Sequence, residues 1–301
     1  MRSVRCLESD RAIEVRIMKT VNSLSGGKTS SYMAVHHPAD VEIFSMVCIE
    51  DHNAAGGWLK RRPDLIQYAN DKLERFIPQF GEFKATAEDP VIIQTMMELE
   101  QKIGREIVWV RDRSFEILIR ERNFLPNKRS RFCTTELKLK PVFEYCYMNI
   151  PGRVEMRLGY RFDEMERKDK ATNEYKFPFM CNNYGQQRQH HKTVEWRKCA
   201  FPMIDEAPTI HPQVVNFWQK NPDVTFPDDS NCQFCFWKDE QQKLINFDRN
   251  PSIMYWAAIQ EEIIGNMLSD KFSLLQNARI NKQLDFFSGT GSGCTAGMCT
   301  D

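Results

Sequence analysis

Ser23-Leu24-Ser25-Gly26-Gly27-Lys28-Thr29-Ser30-Ser31 is the run of this 301-residue chain best equipped to hold an anion. Adjacent glycines let the backbone turn tightly and present bare N–H groups. Ser25, Thr29 and Ser30 add hydroxyls, Lys28 adds a positive charge, and Ser23 closes the preceding segment. Residues 19–24 fit a short strand and residues 30–36 the start of a helix. A strand, a glycine turn and a helix N-terminus focus unpaired N–H groups and the helix dipole on one spot, and the natural anion there is a nucleotide phosphate. The Walker pattern does not apply: it needs a glycine where Asn22 stands. The dinucleotide G-x-G-x-x-G pattern is absent as well. The plainer alternative is a polar capping turn without a ligand.

Three further motifs carry chemistry. Arg131-Phe132-Cys133-Thr134-Thr135-Glu136-Leu137-Lys138-Leu139-Lys140-Pro141 comes first, Gly159-Tyr160-Arg161-Phe162-Asp163-Glu164 second, and Cys232-Gln233-Phe234-Cys235 third. A C-x-x-C turn brings two thiolates close enough for one metal ion or cluster. Arg161, at a strand end, is placed to grip phosphate or sulfate in bidentate fashion. Asp163 and Glu164 either orient that arginine or hold Mg²⁺; the alternative is a surface ion-pair turn. Lys138 is a second anion candidate, with a solvated helix face as its alternative. Arg120, Arg122, Lys128, Arg129 and Arg131 form a basic cluster that reads equally as a solvated loop or as a phosphate or RNA contact. Cys48 and Cys146 lie in apolar segments and read as inert core thiols.

The elements that would position these groups alternate over the first two-thirds of the chain. Strands are expected at 41–49, ending in Glu50-Asp51, then at 83–86, 106–110 and 154–160. Helices are expected at 63–76, 89–103 with Asp89 as N-cap and Gly104 at its end, 114–122, and 135–148 with Pro141 interrupting or starting it. This alternation predicts an α/β fold with a doubly wound, mostly parallel sheet and helices on both faces. Ligands of such sheets sit at the carboxyl ends of the strands, where both the glycine loop and Glu50-Asp51 would lie. Residues 166–287 form a smaller, cysteine-containing, mostly helical region. Within it 186–191 reads as a loop, and helices are expected at 214–220, 239–247 and 251–267. Residues 18–165 form the nucleotide-binding part. Residues 1–17 read as a dispensable extension, and 288–301 as a flexible tail carrying Cys294 and Cys299.

Composition narrows the class. Lys plus Arg and Asp plus Glu both number 41, so the net charge is zero, which argues against a chain coated for nonspecific nucleic-acid binding. Hydrophobic residues make up 42%, enough for a packed core. No apolar run approaches the ~18 residues of a membrane helix. The first residues lack a signal core, so a cytoplasmic protein is expected, whose ten cysteines are not a disulfide framework.

The loop at 25–30 resembles the S-G-G-K-[DT]-S signature of the PP-loop family, the adenine-nucleotide α-hydrolases that cleave ATP to AMP and pyrophosphate. With Cys133, Lys138 and Pro141, the Gly159–Glu164 motif, Pro202-Met203-Ile204-Asp205 and Cys232/Cys235, the chain resembles the phosphoadenosine-phosphosulfate (PAPS) reductase-like branch of that family, over roughly residues 19–240. The resemblance implies ATP and Mg²⁺ as cofactors. It implies Lys28 and Arg161 as catalytic residues, and a nucleotide site drawn from Ser23, Ser25, Gly26, Gly27, Lys28, Thr29, Ser30, Glu50, Asp51, Lys138, Gly159, Arg161, Asp163 and Glu164. It further implies a [4Fe–4S] cluster, with zinc as the rival, on Cys133, Cys232 and Cys235. Thr134 replaces the fourth family cysteine, Cys199 is the first candidate to substitute for it, and Cys181 is the second. The expected activity is adenylation of a substrate coupled to sulfur transfer; tail cysteines Cys294 and Cys299 read equally as sulfur-handling thiols or as incidental residues of a flexible end. The alternatives are an APS or PAPS reductase forming sulfite and a nonenzymatic nucleotide-binding accessory protein. The reductases' Glu-Cys-Gly-x-His tail is missing, and the intact Lys28 favours ATP cleavage. Expected partners are an adenine nucleotide, a sulfur donor or thiol carrier, a nucleic-acid acceptor and a second copy of the chain; no membrane is expected.

Overall fold

The computed structural model describes residues 18–77, 81–183, 186–229, 231–269 and 271–279, with the side chains of 177–190 left aside. Residues 1–17 and the tail with Cys294 and Cys299 lie outside the described residues, as does the Cys181 side chain.

The fold is α/β. Strands β1 (Thr20–Leu24), β2 (Val41–Ser45), β5 (Ile107–Val110), β6 (Val154–Leu158) and β9 (Arg197–Ala200) form one sheet in the order β5-β2-β1-β6-β9. Every pair in it is parallel. Two small additions flank it: β3 (Cys48–Ile49) with β4 (Ala85–Thr86), and the antiparallel pair β7 (Glu174–Asn183) and β8 (Gln186–Glu195).

Strand residues alternate between two apolar clusters, as period-2 side chains on a sheet must. Leu24, Phe44, Ile107 and Trp109 enter one cluster, which also takes the helices Pro63–Phe76, Val91–Ile103 and Pro251–Ile264. Val21, Ile43, Val108, Val110 and Met156 enter the other, beneath helix Lys140–Asn149. Helix Pro63–Phe76 buries Leu65, Ala69 and Leu73, a four-residue stripe facing the sheet. Gly104, in the left-handed conformation at φ 62°, ends helix Val91–Ile103, and the Asp89 carboxylate accepts the Val91 N–H at its start. Trp218, Phe234 and Leu274 share a cluster with Phe44, so residues on both sides of the expected 165/166 boundary build one core.

Three expectations differ from the structure. Residues 41–49 are not one strand; the chain leaves the sheet after Ser45 and pairs Cys48–Ile49 with β4. Residues 186–191 are strand rather than loop, the first part of β8, which pairs to β7 over ten positions, although their sequence shows no apolar alternation. Helix 135–148 begins as a wide turn over Thr135–Leu139 and becomes regular at Lys140–Asn149, with Pro141 in its first turn. Among the described residues no helix is long and apolar enough to cross a membrane.

Trp109 is fully buried, edge-on to Phe44 (5.2 Å between centroids) and Tyr68 (5.5 Å). Trp109→Ala should cost about 3–5 kcal/mol in urea unfolding. A loss under about 1 kcal/mol would contradict the placement of this side chain in the core.

Candidate functional site

The Ser25–Gly27 turn leaves β1 and feeds helix Lys28–His36, as its residue types predict. Gly26 sits at φ +76°, and a Cβ there would come within 2.7 Å of Ile92 Cγ2. The hydroxyls hold the turn together: Ser30 Oγ accepts from Ser25 N–H (3.1 Å) and meets Ser25 Oγ (3.1 Å). Trp218 braces it from helix His211–Lys220, donating Nε1–H to Lys28 O at 2.8 Å.

Because β1 pairs with β6, the turn after β6 lies beside this loop. A Cβ on Gly159 would stand 3.0 Å from Ser30 Cα, so only glycine lets the two segments approach this closely. Arg161 then crosses to the loop, with Nη1–H donating to Thr29 Oγ1 (3.1 Å). Its Nε–H donates to Asp163 (3.0 Å), and Glu164 lies 3.4 Å from Nη2. Glu164 also accepts from Arg167 (2.9 Å), whose guanidinium lies 4.1 Å from the Tyr160 ring centre. Asp163 and Glu164 both contact Arg161.

These segments enclose a cavity of about 310 Å³. Ser23, Ser25, Gly27, Lys28, Thr29, Ser30, Lys138, Gly159, Arg161 and Glu164 line it; Gly26 and Asp163 sit behind, shaping the loop and Arg161. Glu50 and Asp51 do not reach it. The departure of the chain from β2 carries them past β3, where Glu50 pairs with Arg111 (2.7 Å) and Asp51 caps the turn at Asn53. Both backbone N–H groups donate to Glu116 Oε1. Tyr160, Arg197 and His211 also line the cavity and were not among the expected site residues. No local sequence pattern marks them; Arg197 gains its place only because residues 197–200 pair with β6.

Lys138 lines both this cavity and a second, smaller one of about 40 Å³. Its Nζ lies 2.8 Å from Glu88, which is 1% exposed. Burial alone would lower the Lys138 ammonium, but Glu88 reverses the sign and holds it above its usual range. Glu88 is the buried partner that the motif did not disclose.

Cys133, Cys232 and Cys235 line the smaller cavity with Thr134, Asn231 and Trp237. The C-x-x-C turn closes through Cys235 N–H to Cys232 O (3.0 Å) and is pinned by Gln233 N–H to Ala87 O (2.8 Å), next to Glu88. Burial pushes the Cys232 thiol up to about 12 and raises Cys133 as well, against the pull of Lys138. The donors suit a thiolate-bound group in kind, and they converge from two distant segments. Among the described residues three thiols meet here, and no group of three or more His, Cys, Asp and Glu side chains is arranged to hold a metal ion. Cys199 does not join them. It lies on β9 in the other apolar cluster, with Sγ donating to Thr172 O at 3.4 Å.

No family model, no curated protein and no solved structure matches this chain.

Two outcomes test this geometry. Gly159→Ala forces β6 and the loop apart and should lower stability by about 1–3 kcal/mol in urea unfolding; an unchanged midpoint would contradict the close approach. Burial pushes the Cys48 and Cys146 thiols up to about 12, so both are neutral below that pH. Alkylation of native protein at mildly basic pH, mapped by mass spectrometry, should leave both unlabelled until denaturant is added; rapid native labelling of either would contradict their burial.

Proposed function

We propose that the chain is an ATP-dependent enzyme of the PP-loop, PAPS reductase-like kind, which adenylates a substrate and couples this to sulfur transfer. The observation that carries the reading is the meeting of the Ser25–Ser30 loop, with Lys28, and Arg161 across one cavity. The order β5-β2-β1-β6-β9 supports it too: the chain adds β2 and β5 on one side of β1 and β6 and β9 on the other, and doubly wound sheets take their ligands at such a switch point between β1 and β6.

In this reading the loop N–H groups and Lys28 neutralise the phosphates of ATP, and Mg²⁺ joins them. A substrate oxygen attacks the α-phosphorus, the bond to the pyrophosphate oxygen breaks, and Arg161 steadies the developing charge from the β6 side. The terminal sulfur of a persulfide donor then attacks the adenylated carbon and displaces AMP, and a second thiol of the donor breaks the S–S bond so formed, leaving the thiolated product and an oxidised donor disulfide. Asp163 and Glu164 fix Arg161. Trp218 keeps the start of helix Lys28–His36 in place. A cluster or zinc ion, if bound, would rest on Cys133, Cys232 and Cys235, where it would hold or activate sulfur. Lys138 borders both cavities and so faces the nucleotide on one side and the thiols on the other.

Anaerobically purified protein with ATP, Mg²⁺ and candidate acceptors should yield AMP and pyrophosphate. Lys28→Ala should lower that rate by about a hundredfold or more. Tight ATP binding with no AMP under any condition would refute the reading, and sulfite release from APS or PAPS would replace it with sulfate reduction. Iron and zinc content measured beside Cys232→Ser checks the thiol site; unchanged metal in the variant would remove Cys232 as a ligand.

A further inference from the structure

The large cavity is lined by five Lys and Arg side chains, and their charges are not compensated alike. Lys138 has Glu88, Arg161 has Asp163 and Glu164, and Arg167 has Glu164. Lys28 and Arg197 have no carboxylate among the described residues. Lys28 is exposed at the loop, where water solvates it. Arg197 is only 2% exposed. Its Nε–H donates to Thr172 O (2.9 Å), and its guanidinium carbon lies 5.1 Å from the Trp196 ring centre. The ionisable groups that act on it are the thiols of Cys199 and Cys146, which burial keeps protonated. Neither Nη group has a partner among the described residues.

A buried guanidinium without a counter-charge is costly, and an anion docked on its free edge with good hydrogen-bond geometry offsets part of that cost. The planar two-nitrogen edge matches an oxyanion, carboxylate, sulfate or phosphate, in bidentate fashion. The position is specific as well. Arg197 pairs with Val154 at the start of β6, whereas the phosphate loop lies beside the end of β6, about 13 Å further along the strand. Apolar Leu139, Val142 and Leu158 line the same cavity.

We propose that Arg197 is the receptor for a second oxyanion, bound in the same cavity as, and away from, the anion held by the Lys28 loop. The second oxyanion has two chemical sources: the nucleotide's own phosphates or a separate small anionic substrate. The proposal uses the cavity assigned above to ATP, but it does not need ATP to be the occupant.

Titration calorimetry of the full chain with sodium sulfate, inorganic phosphate and ATP, in wild type, Arg197→Met and Arg197→Lys, tests it. Arg197→Met should weaken sulfate or phosphate binding by about tenfold or more, the worth of a charged hydrogen-bonded contact. Arg197→Lys keeps the charge and loses the fork, so its affinity should fall between the two. If ATP affinity stays unchanged while sulfate affinity falls, a separate anionic substrate occupies the site. If both fall and sulfate competes with ATP, the second oxyanion is a phosphate of the nucleotide. Arg197-dependent sulfate binding without any ATP binding supports the proposal and refutes the ATP reading. Sulfate and phosphate binding equal to wild type in both variants, or no binding by wild type, overturns it. Should Arg197→Met unfold, the sulfate-induced rise in thermal midpoint is compared between wild type and Arg197→Lys: a smaller rise in the variant supports the proposal, and an equal rise in both, or none in wild type, overturns it.

Discussion

A methyl group at position 159 would lie 3.0 Å from the Cα of Ser30, and the whole candidate site depends on its absence. The parallel β1–β6 pair sets two loops side by side at the carboxyl ends of two interior strands. One loop supplies backbone N–H groups and Lys28; the other supplies Arg161. A glycine in each makes the arrangement feasible: Gly26 adopts the left-handed turn, and Gly159 permits the contact. The remaining contacts preserve that closeness. Arg161 bonds Thr29, Trp218 bonds the Lys28 carbonyl, and Ser25 bonds Ser30.

Charge is distributed around this frame with a consistent logic. Arginines and lysines that serve the architecture have carboxylates: Arg161 and Arg167 share Glu164, and Lys138 has buried Glu88. Two cations in the large cavity have none among the described residues, one exposed at the loop and one enclosed at the start of β9. The chain as a whole is neutral, with 41 Lys plus Arg against 41 Asp plus Glu, so the two cations without a carboxylate in this cavity do not reflect a net basic chain. Lys138, paired to buried Glu88, lines both the large cavity and the cysteine-lined one.

Much of this was legible in the sequence because it is local. The glycine turn, the Asp89-to-Gly104 helix and the C-x-x-C turn depend on residues a few positions apart, where capping and turn chemistry act directly. The convergence of Cys133 with Cys232 and Cys235 is not local; the resemblance implied it, and the structure brings these three to one cavity. What was not legible depends on long-range pairing. Nothing local tells that the chain departs the sheet at Ser45, which removes Glu50 and Asp51 from the site. Polar residues 186–191 carry no strand pattern, yet they pair with β7. Cys199 sits in a motif that reads as adjoining the other cysteines, but β9 joins β6 on the far side of the sheet's order and draws it into the second apolar cluster. Arg197 and Glu88 carry no signal in the sequence because a lone charged residue acquires meaning only when its burial and its partners are known.

The most direct measurement of nucleotide binding at the glycine loop is a crystal structure of the protein grown with ATP and Mg²⁺. Phosphate density is expected against the backbone N–H groups of residues 26–30, between Lys28 and Arg161. Nucleotide bound elsewhere, with the 25–30 loop contacting only protein and solvent, would contradict that site.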